Sequence, residues 1–107
     1  MADCPENQVL LVGCIVGEIV ERELASGELI SQWRVKVPRV GESGSDSIPC
    51  STSVAAVRKS LSKASLASDY QIEGQIRSRY WNAAGVTGSR VEVNVTKMRK
   101  FKPGLSP

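Results

Sequence analysis

An alternation of apolar and polar residues between Tyr70 and Arg79 is the feature that most constrains the fold of this chain. Tyr70, Ile72 and Ile76 occupy alternate positions, and most residues between them are polar. A period of two is typical of a β-strand with one face on a core and the other in solvent. Gly74 interrupts the apolar series and predicts a β-bulge or a sharp bend at that point.

Two arginines and two aromatic residues lie at the end of this stretch. Arg77 and Arg79 share the polar face, and Tyr80 and Trp81 follow directly. Guanidinium groups beside aromatic rings are typical of surfaces that neutralise phosphates and stack nucleic-acid bases. The alternative interpretation is an ordinary strand with a solvated polar face.

Charge is distributed unevenly along the 107 residues, which suffice for one domain with a single core. The net charge is +3, but residues 1–30 contain six acidic residues and one basic residue. Residues 31–107 contain thirteen basic and five acidic residues. This basic part is compatible with a polyanionic ligand, and a pattern that serves solubility is the alternative.

Cysteine usage argues against a metal site. Cys4, Cys14 and Cys50 are widely spaced, and the chain has no histidine, so we expect neither a metal nor a cofactor. Cys14 and Cys50 lie in apolar runs and are predicted to be buried thiols in a reducing cytoplasm. We also expect no signal peptide and no membrane span, because no apolar run approaches about 20 residues.

The other segments predict four more strands and one helix. A long, bent first strand is indicated by β-branched residues with Gly13 and Gly17 among them, and a helix is a poor alternative there. The helix is predicted after the capping hydroxyls of Ser51, Thr52 and Ser53. The predicted bounds are 9–20, 29–37, 47–51, 70–81 and 90–96 for the strands, 54–64 for the helix and 82–89 for a hairpin loop.

This order predicts the fold class: an all-β domain with one helix, in the five-stranded Greek-key barrel known as the OB-fold, with the helix between strands 3 and 4. Another small barrel of three to six strands is the alternative. The predicted organisation is a flexible N-terminus at 1–6, an OB-fold domain at 7–102 and a C-terminal stub at 103–107.

Four segments resemble the bacterial single-stranded DNA-binding protein family. They are residues 7–13, Ser26-Gly27 in the first turn, Ile72 to Trp81, and Val91 to Val95. The resemblance implies an OB-fold that forms oligomers, commonly homotetramers, and binds single-stranded DNA without strong sequence preference. It places Arg77, Arg79 and Trp81 at positions that contact DNA.

Further residues extend this predicted path. Phosphate contacts are also expected from residues on the outward face and at the end of the second strand, namely Arg34, Lys36 and Arg39. Tyr80 is expected to stack bases together with Trp81. The chain departs from the family at Ile48 and Val54, where stacking aromatic residues are expected. The family's Gly- and Pro-rich tail with an acidic tip is also missing, and we interpret Trp33 as a core residue.

The predicted function is therefore non-catalytic, sequence-nonspecific binding of single-stranded DNA in replication, repair or recombination. We expect a cytoplasmic, nucleoid-associated homo-oligomer, either a tetramer or a dimer, with replication or repair proteins as possible partners. The alternative is an OB-fold interaction or scaffold protein of the primosome type with weak or no DNA binding. An enzyme is disfavoured, because histidine, a phosphate-binding glycine loop and paired carboxylates are all missing from the sequence.

Overall fold

The computed structural model of the protein describes residues 6–101, apart from the side chains of residues 81–83. Five strands close into a barrel in the order β1-β2-β3-β5-β4, in which only the β3–β5 pair is parallel. This topology confirms the predicted OB-fold, with its helix between the third and fourth strands. The elements are β1 (Val9–Glu23), β2 (Leu29–Pro38), β3 (Ser45–Thr52), α1 (Ala55–Ser62), β4 (Asp69–Ala83) and β5 (Val86–Lys100).

Strand β1 closes the barrel because it pairs on both of its edges. Its first half pairs with β4 and its second half with β2. Gly13 lies so close to β2 that a Cβ atom there would be 2.1 Å from the Lys36 carbonyl oxygen. Gly17 has φ +74° and lies within the register shift between Val16 and Val20. Gly17 therefore has the predicted role of letting one long strand bend between two partners, whereas Gly13 lets that strand approach β2 closely.

The barrel interior is filled mainly by aliphatic side chains, with α1 packed against it. Val57 and Leu61 of α1 are buried there, and Trp33 is 3% exposed, which confirms its interpretation as a core residue. Cys50 is fully buried as predicted, whereas Cys14 is half-buried. Burial, the main cause, raises the pKa of the Cys50 thiol to about 12. The core cluster comprises Ile15, Trp33, Val35, Cys50, Val57, Leu61, Tyr70, Ile72, Val93 and Val95.

The start of α1 differs from the prediction. The helix begins at Ala55 with Val54 as its N-cap, and no side chain makes a capping hydrogen bond. The Thr52 hydroxyl instead accepts a hydrogen bond from the Val54 amide and donates one to the Val95 carbonyl. The hydroxyl therefore fixes the turn before the helix to β5, from a position two residues before the N-cap.

The connection between β4 and β5 also corrects the prediction of an eight-residue loop at 82–89. Both strands continue to a two-residue turn at Ala84 and Gly85, which have φ 53° and 81°. Positive φ at both positions is the geometry of a type I′ hairpin turn. The predicted bulge at Gly74 is confirmed by a register shift between Glu73 and Gly74. Ile76, predicted to face the core, is 44% exposed.

The turn gives a stability prediction at Ala84. We expect Ala84→Asn to stabilise the protein by about 1 kcal/mol, because alanine is strained in the left-handed region that asparagine tolerates. For a domain of this size, that gain raises the melting temperature by about 4–8 °C. Thermal unfolding followed by circular dichroism measures it. Ala25→Asn, in a turn where the alanine has no positive φ, is the matched control, and an equal rise there would contradict the backbone explanation.

Candidate nucleic-acid interface

Strand β2 presents the predicted basic face. Arg34 and Lys36 are both exposed and lie opposite Pro49 and Ser47 of β3. The Arg34 Nε donates a hydrogen bond of 2.7 Å to the Ser47 hydroxyl, and its Nη2 donates one of 2.9 Å to the Ser47 carbonyl. The Arg34 guanidinium is therefore held across β3 with its charge uncompensated by these neutral groups.

Arg39 is in a different situation from the other predicted cations. It lies after β2 and donates two hydrogen bonds to the Asp46 carboxylate, at 3.1 and 3.0 Å, and a second carboxylate, Glu42, lies at 3.5 Å. The hydrogen bond to Asp46 raises the pKa of Arg39 above its ordinary value, so the residue stays charged. Two carboxylates offset that charge, which makes Arg39 the weakest of the predicted phosphate contacts.

The two predicted arginines of β4 have different environments. Arg77 is exposed and lies opposite Glu92 of β5. Arg79 lies opposite Arg90, and its side chain is 29% exposed. Trp81 lies opposite Gly88 in the backbone register, but its side chain is outside the described part of the structure. The prediction that Trp81 stacks a base therefore stays a prediction.

A buried carboxylate connects the arginines of β4 and β5. The Glu92 side chain is fully buried and accepts hydrogen bonds from the Ser51 hydroxyl, from the Arg79 Nε and, at 3.2 Å, from the Arg90 Nη2. Burial acts to raise the pKa of Glu92, but the hydrogen bonds from Ser51 and Arg79 and the charges of both arginines outweigh it, so the pKa is lowered. Glu92 is therefore ionised at neutral pH.

Two adjoining clefts bring several of these side chains together. The larger, of about 640 Å³, is lined by Arg22, Arg79, Arg90 and Tyr80, among others. The smaller, of about 280 Å³, shares Arg22, Gln32 and Arg90 with it and adds Arg34. We call the two clefts the arginine groove. Glu23 lines the larger cleft and Glu18 the smaller, so four arginines face two carboxylates and the groove keeps a positive balance. Tyr80, which is 79% exposed, adds an aromatic ring to this surface.

The groove contains three residues of the predicted set and adds two others. It contains Arg34, Arg79 and Tyr80, whereas Lys36, Arg39 and Arg77 do not line it. Arg22 and Arg90 were missed by sequence reasoning. Arg22 is the one basic residue among the acidic first 30 residues, so the charge distribution did not suggest a phosphate contact there. A prediction of the tight turn at Ala84-Gly85 would have identified Arg90, because the strand register that this turn sets places Arg90 opposite Arg79.

Other features of the described region do not indicate chemistry. A cleft of about 600 Å³ beside the start of β1 carries one acidic and one basic residue, Glu73 and Lys97, among neutral ones. Within residues 6–101, no group of three potential metal ligands is found. In the same range, no helix is long and apolar enough to cross a membrane.

Comparisons with known proteins identify the fold class. No protein-family model and no curated protein sequence matches the chain. Solved structures match over nearly the whole chain. One, an SSB of Plasmodium falciparum in complex with single-stranded DNA, has a TM-score of 0.76 at 12% identity and covers 95% of this chain and 100% of its own.

Two further structures agree with the first. A mitochondrial single-stranded DNA-binding protein of S. cerevisiae has a TM-score of 0.71 at 12% identity and covers 94% of this chain and 100% of its own. A small single-stranded DNA-binding protein of Streptomyces coelicolor has a TM-score of 0.67 at 11% identity, with coverage of 92% and 96%. At such identities the likeness establishes the fold, so the chain is an OB-fold barrel of the shape found in these proteins.

Proposed function

We propose that this protein binds single-stranded DNA without sequence preference and without catalysis. The observation that carries the proposal is the arginine groove, which places four guanidinium groups and an exposed tyrosine ring along one surface of the barrel. OB-folds bind single strands by combining a positive groove that follows the backbone with aromatic rings that stack bases. The three similar structures, all described as SSB or single-stranded DNA-binding proteins, support the same function.

The mechanism follows from the chemistry of the groove. Each arginine that approaches a phosphate releases a condensed counterion, which favours binding at low salt. The Tyr80 ring offers a stacking surface that any base can use, and the prediction for Trp81 would add a second one. Because neither interaction reads the edge of a base, the groove gives affinity without sequence specificity.

Self-association and a role in replication, repair or recombination are part of the proposal. Apolar side chains remain exposed on β4 and β5, including Ile76 and Val91 at 44% and 56%. Such surfaces are commonly covered by another protein, so we propose a homo-oligomer, a tetramer or a dimer. A cytoplasmic location with the nucleoid, and contacts with replication or repair proteins, fit a single-strand binder and are proposed with it.

One observation favours the second candidate, an OB-fold interaction protein of the primosome type. Ile48 and Val54 occupy positions where the resembled family is expected to carry stacking aromatics, and both pack against the barrel core. These two positions therefore contribute no ring to a DNA surface. The second candidate predicts that the exposed apolar surface binds protein while the groove binds single strands weakly or not at all.

Salt dependence distinguishes the two candidates. If Arg22, Arg34 and the exposed Arg77 each neutralise one phosphate, and Arg79 and Arg90 with their shared Glu92 neutralise one more, four phosphates are neutralised in total. Affinity for a thymidine oligomer then falls about 50-fold between about 50 and 200 mM salt, because the log–log slope is about −2.8. Fluorescence anisotropy of a labelled oligomer measures this slope, with a duplex of equal length as the control for single-strand preference. No binding at the lower salt concentration would reject the first candidate and favour the second.

A further inference from the structure

A buried negative charge lies next to the groove where a surface for a polyanion should be positive. Glu92 has the position of an outward-facing residue in β5, opposite Arg77 of β4, yet its side chain is fully buried. The alternation of Val91, Glu92 and Val93 alone predicts a solvated carboxylate. Burying it carries a large desolvation cost, and in this structure the cost is offset by charged and hydroxyl donors.

The hydrogen bonds around Glu92 form a closed triangle with Arg79 and Ser51. The Ser51 hydroxyl donates to Glu92 and accepts a bond of 3.2 Å from the Arg79 Nη2, while the Arg79 Nε donates to the same Glu92 oxygen. Ser51 is itself fully buried, so this part of the triangle is held by the packed barrel wall. A guanidinium fixed through two of its nitrogens has little rotational freedom left.

Arg90 is held from the other oxygen of the same carboxylate. Its Nη2 donates a 3.2 Å bond to Glu92 Oε1, whereas Arg79 bonds Oε2. Two guanidinium groups at directly paired positions of neighbouring strands would otherwise repel each other, and the carboxylate between them offsets that repulsion. Within the described residues, neither the Nη1 of Arg79 nor the Nε and Nη1 of Arg90 makes a hydrogen bond. Both side chains line the larger cleft with these donors still free for a ligand.

We propose that Glu92 is a positioning residue that holds Arg79 and Arg90 as a two-guanidinium clamp for one phosphate of a bound single strand. The proposal rests on the proposed function of the groove and deepens it by assigning one phosphate subsite. Arg79 and Arg90 carry two charges and Glu92 removes one, so the cluster keeps a net positive charge. Because the clamp is formed before the ligand arrives, binding does not have to order two long side chains, which favours affinity.

The proposal predicts an effect whose sign is opposite to that of simple electrostatics. Glu92→Gln keeps the shape of the side chain and raises the net charge of the protein by one. If Glu92 were only an opposing charge, this variant would bind a thymidine oligomer more tightly. We expect it to bind about 2- to 10-fold more weakly, the range that follows from ordering one more long side chain on binding.

The matched control is Glu28→Gln, which makes the same charge change at an exposed residue just before β2. We expect its affinity to be unchanged or slightly higher. If Glu92→Gln binds as tightly as the wild type or more tightly, the positioning role is overturned while the proposed function stands. If the wild type does not bind the oligomer at low salt, the proposed function itself fails and the phosphate subsite fails with it.

A second measurement does not depend on DNA and separates positioning from stability. In the wild type, the Arg79 Nε–H signal in NMR spectra should be sharp and slow to exchange with water, and in Glu92→Gln it should broaden. An Arg79 signal that is equally mobile in both proteins would overturn the clamp. If Glu92→Gln fails to fold, Ser51→Ala opens the same triangle without removing a charge. It is expected to weaken binding about 2-fold, and unchanged affinity would overturn the proposal.

Discussion

Single-stranded DNA should bind roughly 100-fold more weakly when Arg22, Arg34 and Arg77 are all replaced by alanine, because three exposed guanidinium contacts of about 1 kcal/mol each are lost. Arg22 and Arg34 line the groove, and Arg77 is exposed opposite Glu92. None of the three bonds the buried Glu92 carboxylate, so the fold is expected to remain intact. The slope of log affinity against log salt should become less steep by about 2.

The control for this variant makes the same change in net charge elsewhere. Lys59, Lys63 and Arg99 are exposed and lie outside the groove, in α1, just after α1 and near the end of β5. Replacing them by alanine should change affinity less than about 3-fold, since exposed charges beyond about 10 Å are largely screened at 0.1 M salt. Equal losses in both triple variants would show that affinity comes from net charge and not from the groove. Anisotropy titrations at several salt concentrations measure both the loss of affinity and the change in the slope of log affinity against log salt.

The fold could be predicted because its main determinants are local. Alternation marks the strands, and the glycines mark the places where strands bend, as Gly17 and the bulge at Gly74 show. The order of elements then leaves few topologies for a chain of this length. The tight turn at Ala84-Gly85 was missed because alanine is an uncommon residue at positive φ, and only the surrounding strands force it there.

The site was less predictable, because it depends on which residues meet across strands. Period-two alternation assigns Arg79 to a polar face, but it cannot say that Arg90 lies opposite or that Ser51, 28 residues away in sequence, bonds its guanidinium. Arg22 reaches the groove only because β1 bends over the barrel and pairs with β2. The sequence pattern predicts that Glu92 is solvated. Its burial depends instead on three hydrogen-bond partners that lie on three different strands, β3, β4 and β5.

Loss of both arginines that bond Glu92 should have the largest effect on stability. In the double variant Arg79→Ala/Arg90→Ala, the fully buried Glu92 carboxylate loses both of its cations. Of its hydrogen-bond partners in the described structure, the Ser51 hydroxyl remains. We expect the free energy of unfolding to fall by about 3–5 kcal/mol at pH 7, the usual cost of an uncompensated buried charge. Urea denaturation measures it. Adding Glu92→Gln to the double variant should restore most of the loss, because the buried group is then neutral.

The pH dependence of this loss identifies the carboxylate as its cause. In the wild type the pKa of Glu92 is lowered, so its contribution to stability is present above the unfolded value of about 4.3 and is lost as the pH falls through the folded value. Without the two cations, burial raises the folded pKa above the unfolded one. The penalty then grows as the pH rises from the unfolded value toward the raised folded value, and it disappears at low pH because protonation neutralises the group. The stability difference between the two proteins should therefore narrow between pH 7 and about pH 4. A difference that stays constant over this range would mean that lost packing of the arginine side chains, and not the charge on Glu92, destabilises the barrel.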